Sequence, residues 1–346
     1  MRGVLPDIVT TARSVRASRP IITYFIAAGA GWIHLRRRCK VNASNNDARC
    51  SRACGTGATV EALDRSEDQD AVVRYAAQMY TREGAVHVRD EEVQGEHALD
   101  VHIDGTLAMR IVCSPSDLIE LVLGRLFSEG IIQAEDDVDF MYLCEHGTIV
   151  RVLLKRKRAL KPVEAPVVPS CCTGNKVFEA LEQLDDDLRP VRPIDWDPAW
   201  VFALADVFAA DTPMHRKTFG AHSCYLAIDG EVRYVCEDLG RHNAFDKVVG
   251  HALKNRDDLS RAVVFTSGRI PVDMVTKAIR AGIPVLASKA VPTDLTIELA
   301  HEFSLTLICS AHPDSMRVYS DPRWKDAPPR AGSWDASALP EAPARA

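Results

Sequence analysis

Two stretches of this sequence concentrate side chains able to do chemistry. The first, Ser170-Cys171-Cys172-Thr173-Gly174-Asn175-Lys176, sets adjacent thiols just before a segment of helical spacing, where Val177, Leu181 and Leu184 share one face. Unpaired N–H groups and the positive end of a helix dipole favour a thiolate there, and Lys176 adds to that field. A thiolate is the species that attacks a persulfide or a disulfide. Cys171 and Cys172 are therefore candidate nucleophiles, weighed against an incidental or structural pair of thiols.

The second stretch, Glu237-Asp238-Leu239-Gly240-Arg241-His242-Asn243-Ala244-Phe245-Asp246-Lys247, packs seven charged or hydrogen-bonding side chains between a predicted strand and a predicted helix. Loops at the carboxyl ends of strands are where open α/β sheets hold ligands. Arg241 and Lys247 suit phosphates, Asn243 suits a helix cap, and His242 reads as well as a structural histidine as a catalytic one. Ser267, Gly268 and Arg269 follow one further predicted strand, and Lys289 follows another. Repeated polar, cationic loops at equivalent strand ends point to an anionic ligand such as a nucleotide. Ser310, Ala311, His312, Pro313, Asp314 and Ser315 follow the last strand, either lining the same crevice or forming a plain surface turn.

These loops need elements to position them. Ala98–Ile103 and Leu107–Val112 flank Asp104-Gly105, and Ser223–Ile228 and Glu231–Cys236 flank Asp229-Gly230, which are two hairpin patterns. Ser116 is placed to cap a helix through Leu126, Asp197-Pro198 opens a helix to about Ala209, and Asn243 opens another. Ala262–Phe265, Val272–Ala281, Ile283–Ala287, Thr293–Phe303 and Leu305–Cys309 alternate strand and helix, the order of a parallel sheet with crossovers. The predicted organisation is an extension over 1–84, a smaller β-rich domain over 85–165, an α/β domain over 166–320 and a flexible tail over 321–346.

The chain has 346 residues, 47% hydrophobic and 26% charged, with a formal charge of −6, which suits a globular protein and gives no basic surface for nucleic acid. Its ten cysteines lack the dense spacing of a secreted scaffold, and Cys113 and Cys309 sit in apolar runs as small buried hydrophobes would. The apolar stretch Ile21–Leu35 falls short of the roughly 20 residues a spanning helix needs. A cytoplasmic protein with no membrane partner is expected.

A zinc-dependent deaminase requires His-x-Glu and Pro-Cys-x-x-Cys elements, and neither occurs. Cys39, Cys50 and Cys54 have poor spacing for zinc, so no protein-ligated metal is expected. No Walker loop or dinucleotide fingerprint is present either.

The run E-D-L-G-R-H-N-A-F-D-K at Glu237–Lys247 resembles the signature of the formate dehydrogenase accessory sulfurtransferase family, FdhD/NarQ. Leu121–Ile132, Thr266–Arg269 and Ala281–Ala287 resemble that family in the same order and spacing, over about residues 85–320. The resemblance implies a cytidine-deaminase-like α/β domain used without zinc, joined to a smaller β-containing domain. It implies a sulfurtransferase that takes persulfide sulfur from a cysteine desulfurase and hands it to molybdenum held by two pterin guanine dinucleotides, for formate dehydrogenase, and it suggests a homodimer. Cys171 matches the carrier cysteine, while the Arg241, Arg269, Lys289 and Ser310–Ser315 loops would surround the cofactor.

The sequence departs from the family pattern at two places. The usual Cys-Gly-x-Cys-Gly element has Gly174 where its second cysteine belongs, with Cys172 as an extra thiol. The loop at Ser310–Ser315 lacks the aromatic and arginine residues the family carries. A chaperone that binds the cofactor without relaying sulfur is the alternative expectation.

Overall fold

The computed structural model describes residues 71–156 and 188–324, with the backbone of three short strands at 23–28, 31–35 and 167–168. In chain order these are β1 (Thr23–Ala28) and β2 (Gly31–Leu35), then β3 (Val72–Tyr80), β4 (Val86–Gln94), β5 (His97–Ile103) and β6 (Thr106–Cys113). Helix α1 (Leu118–Ser128) follows, then β7 (Val138–Leu143), β8 (Ile149–Leu154) and β9 (Val167–Val168). The second half runs α2 (Pro198–Ala209), α3 (Pro213–Thr218), β10 (His222–Ile228), β11 (Glu231–Asp238), α4 (Arg241–Asn255) and β12 (Ala262–Thr266). It ends with α5 (Val272–Arg280), β13 (Val285–Ser288), α6 (Asp294–Glu302), β14 (Thr306–Cys309) and β15 (Arg317–Ser320).

Alternation along β5 turns Leu99, Val101 and Ile103 into one core, where they meet Met109 and Ile111 of β6, Val150 and Val152 of β8, and Leu121, Val122 and Leu126 of α1. The sheet order is β2-β1-β7-β8-β5-β6-β9. Its hairpin closes at Asp104 and Gly105, both at positive φ, as the sequence predicts.

The second sheet, β11-β10-β12-β13-β14-β15, is covered on both faces. Phe245, Val248, Met274, Val275 and Ala300 of α4, α5 and α6 pack against Leu226, Val264, Leu286 and Leu307 on one side. Trp196, Val201 and Leu204 pack against Tyr225, Phe265, Val285 and Ile308 on the other. The expected α/β architecture is present: β12, β13 and β14 run parallel to one another, as the alternation of strand and helix predicts, and β10 and β15 pair antiparallel with β12 and β14.

Other boundaries differ from the expectation. The limit drawn at 85 falls at the turn of a β3–β4 hairpin, β9 pairs with β6 beyond 165, and Asp321 accepts a 3.1 Å bond from Trp196 Nε1, so the expected tail begins packed. Asp117, not Ser116, holds the N-cap position of α1 and makes no side-chain cap bond, while Ser116 Oγ accepts from Lys247. The helix read at 176–184 lies outside the described residues.

The two halves meet where α1 crosses α4. A Cβ at Gly124 would overlap the Asp246 carbonyl and one at Gly250 would overlap the Glu120 carbonyl, so the two backbones touch. A buried charge cluster surrounds this crossing: Asp246 Oδ2 lies 2.6 Å from Lys277 Nζ and 3.5 Å from Arg125 Nη1, Ser128 Oγ donates to Asp246 Oδ1 at 2.7 Å, and Arg125 Nε lies 3.1 Å from Glu129.

Candidate functional site

Because β10 runs antiparallel to both β11 and β12, and β12, β13 and β14 run parallel, strands β11, β12, β13 and β14 all end at the same edge of the sheet. Gly240-Arg241, Thr266–Arg269, Ser288-Lys289 and Ser310 leave there, and His222 arrives at the start of β10. Hydrogen bonds tie these loops together. Ser288 Oγ donates to the Gly268 carbonyl (2.6 Å) and accepts from Ala290 N (2.9 Å); Ala311 N donates to the Ser288 carbonyl (3.0 Å) and Ser310 N to the Ala290 carbonyl (2.8 Å). Ser267 Oγ accepts from Ser223 N at 3.0 Å and lies 3.1 Å from His222 Nδ1.

Arg241 is the residue this edge leaves unspent. It is the first residue of the fifteen-residue helix α4, is 7% exposed, and its Nε has no hydrogen-bond partner. Its side chain lies across Gly268, where a Cβ would stand 2.5 Å from Arg241 Cδ, so glycine is what admits the guanidinium. Gly240 at the N-cap supplies no side-chain acceptor, which leaves the first N–H groups of α4 facing the same edge. Arg269 and Lys289 are exposed beside it, Lys289 Nζ standing 5.2 Å over the Phe208 ring. A buried donor without an acceptor costs free energy until an acceptor arrives, and a phosphate oxygen is such an acceptor.

The neighbouring histidines register this positive edge. Burial first, then the charges of Arg241 and His242, hold His222 below the ordinary imidazole value. Burial also lowers His242, against the pull of Asp273, whose Oδ2 lies 2.9 Å from His242 Nε2. Both rings favour the neutral form.

Several predicted contacts are redirected inward. Lys247 is fully buried and gives its three N–H groups to Asp238 Oδ2 (2.8 Å), the Glu237 carbonyl (3.0 Å) and Ser116 Oγ (3.2 Å), which leaves none for a phosphate. Asn243 is not the cap of its helix; its Nδ2 donates to Asp238 Oδ1 (2.8 Å) and the Val112 carbonyl (2.9 Å). Glu237 accepts from Met214 N and His215 N at the start of α3. Much of the signature is thus a scaffold that fixes Arg241. Ala311 is buried, and His312, Pro313, Asp314 and Ser315 form an exposed turn closed by His312 N to the Ser315 carbonyl at 2.7 Å.

His222, Ser223 and Asp273 join the site without having been singled out in the sequence. A serine or histidine at the mouth of an apolar strand carries no local mark of the loop it will face. Cys171 and Cys172 lie outside the described residues. Cys113 and Cys309 are fully buried, as expected, and burial pushes the Cys309 thiol up to about 12. No helix among the described residues is long and apolar enough to cross a membrane.

The FdhD/NarQ family model matches residues 94–324. A sulfur carrier protein FdhD of Streptomyces coelicolor is 32% identical over 255 residues, spanning 69% of this chain and 90% of its own length. The Bacillus subtilis protein of the same name is 29% identical over 242 residues, spanning 69% and 92%. A crystal structure described as a candidate formate dehydrogenase accessory protein of Desulfotalea psychrophila superposes with a TM-score of 0.61 at 24% identity, over 73% of this chain and 98% of its own, and shares the fold.

Proposed function

Because the chain belongs to the FdhD/NarQ family, we propose that it is a cytoplasmic sulfur carrier serving formate dehydrogenase. Cys171 takes sulfur from a cysteine desulfurase: its thiolate attacks the outer sulfur of the desulfurase persulfide, one S–S bond forms as another breaks, and the desulfurase cysteine leaves as a thiolate. The sulfur then passes to molybdenum bis(pterin guanine dinucleotide), bound as cargo: the S–S bond breaks, Cys171 leaves as a thiolate, and reduced molybdenum supplies the two electrons that turn the outer sulfur into a sulfido ligand, before the cofactor enters the formate dehydrogenase apoprotein. A homodimer is the assembly this reading expects.

The observation that carries the cargo assignment is Arg241, buried and with Nε unpartnered at an edge where Gly268, Arg269, Lys289 and the uncapped start of α4 converge. Guanine dinucleotides present phosphates, and a guanidinium meets two phosphate oxygens at once. Lys247 and Asn243 serve this site by holding the loop rather than the ligand.

Gly174 in the place of the second family cysteine favours one other reading, a cofactor-binding chaperone without the relay. Intact-protein mass spectrometry after incubation with a cysteine desulfurase and cysteine separates the two. A reducible adduct of about 32 Da, lost in Cys171→Ala and kept in Cys172→Ala, supports the carrier. No adduct on any form, with the desulfurase active on another acceptor, supports the chaperone.

A further inference from the structure

Three donors that the sulfur-carrier reading leaves unused converge where α1, β11 and α4 meet. Asp117 stands at the start of α1, Cys236 lies on β11 and His251 on α4, and one donor atom of each falls within 4.8 Å of the other two. His251 Nε2 is 3.0 Å from Asp117 Oδ1. Cys236 is buried, and the other two are half-buried.

Asp117 and His251 are aimed rather than merely nearby. Aspartate is among the best helix N-caps, yet Asp117 makes no side-chain cap bond and turns its carboxylate to His251. The Tyr234 ring stacks on the His251 imidazole at 5.3 Å and 14°, and the Tyr234 hydroxyl is itself held by Asp257, which fixes the imidazole plane. Lys247 and Lys254, whose charges act on Asp117, are already paired with Asp238 and Glu120.

We propose that Asp117, Cys236 and His251 form a binding site for one divalent transition-metal ion of the zinc type. Thiolate sulfur, imidazole nitrogen and carboxylate oxygen are the donor set zinc takes, with bonds of about 2.0–2.3 Å that put tetrahedral donors roughly 3.3–3.8 Å apart. The His251–Asp117 separation of 3.0 Å and the 4.8 Å within which all three donors lie bracket that spacing. The carboxylate and thiolate together neutralise the ion, as a largely buried site requires. Binding releases the thiol proton, and three protein donors leave the fourth tetrahedral position to water.

The ion would act as a staple. Asp117 belongs to the first half of the chain and the other two donors to the second, Cys236 lies two residues before Asp238, and His251 lies one turn beyond Lys247. It would therefore pin the strand and the helix that flank the signature loop. Ligands spread over positions 117, 236 and 251 have no motif spacing, which is why the sequence pointed to no protein-ligated metal.

The test uses the full chain, reduced and stripped with a chelator, titrated with Co2+ and followed by absorption. One equivalent should bind with a thiolate-to-cobalt charge-transfer band that Zn2+ displaces. The band should vanish in Cys236→Ser, and affinity should fall at least about tenfold in Asp117→Asn and His251→Ala. A band unchanged in Cys236→Ser, or no Co2+ bound by folded wild type, overturns the proposal. Circular dichroism checks the fold of each variant, and should Cys236→Ser fail to fold, unaltered affinity in the half-exposed His251→Ala is equally fatal.

Discussion

Asp238 and Lys247 face each other at 2.8 Å with neither side chain exposed, joining the end of β11 to the second turn of α4. Asp238 also accepts from Ser114 N (3.0 Å) and Gly240 N (2.9 Å), so one carboxylate gathers β6's end, the signature loop and α4. Removing one partner of a fully buried pair strands the other charge, so Lys247→Met should cost about 3–5 kcal/mol in urea denaturation. The double variant Asp238→Asn/Lys247→Met should recover part of that loss.

The same pair sets an alkaline limit. Burial pulls the Lys247 pKa down, but Asp238, with Cys113 and Asp117 beside it, more than offsets that and leaves the group above the ordinary lysine value of 10.5. A raised folded pKa gives stability that is whole below the unfolded value and lost as pH climbs through the folded one. The stability gap between wild type and Lys247→Met should therefore stay level to about pH 10.5 and shrink above it, as read by urea denaturation at each pH.

Gly268 and Arg241 make a testable couple at the candidate site. Gly268→Ala would set a methyl 2.5 Å from Arg241 Cδ and push the guanidinium off its bed, while Arg241→Lys would keep the charge and lose the planar fork. Calorimetric titration with guanosine diphosphate should show binding weakened about tenfold or more in both, with thermal stability near wild type. Undiminished binding in Arg241→Ala would remove this edge from the reading.

A tight backbone approach lies away from that edge, where α1 crosses α4. Gly250→Ala inserts a methyl into the Glu120 carbonyl, and no side-chain rotation relieves a backbone overlap. The cost should exceed the roughly 1–3 kcal/mol typical of overpacking and appear as a lowered Tm or loss of soluble protein. The exposed Lys217→Ala should change neither.

Sequence periodicity carried most of the second half: Asp197 caps α2 through Ala199 N at 2.8 Å, Gly282 stops α5 at positive φ, and both Asp-Gly turns close as hairpins. These features depend on neighbours within a few positions, which a sequence displays. Asn243 and Lys247 do not. An asparagine near a helix start fits a cap equally well until Val112, 131 residues away, brings its carbonyl within reach. Lysine reads as a phosphate ligand until burial pairs it with Asp238. Local patterns thus marked the loops that share one sheet edge, Arg241 among them, whereas the division of the signature into residues at that edge and residues that brace it required contacts between the two halves.

His222 offers a pH signature for ligand binding at that edge. Its pKa is lowered by burial and then by the positive charge of Arg241 and His242, so at neutral pH the ring is held neutral. An anion beside Arg241 cancels part of that repulsion and raises the His222 pKa, and a group that gains a proton on binding makes affinity rise as pH falls. Guanosine diphosphate should bind more tightly at pH 6 than at pH 7.5, with proton uptake seen as a buffer-dependent calorimetric heat. His222→Gln keeps a side-chain amide near Ser267 Oγ but cannot titrate, so it should bind the nucleotide with less proton uptake than wild type. Equal uptake in the two proteins would place the titrating group elsewhere and cut His222 from the site.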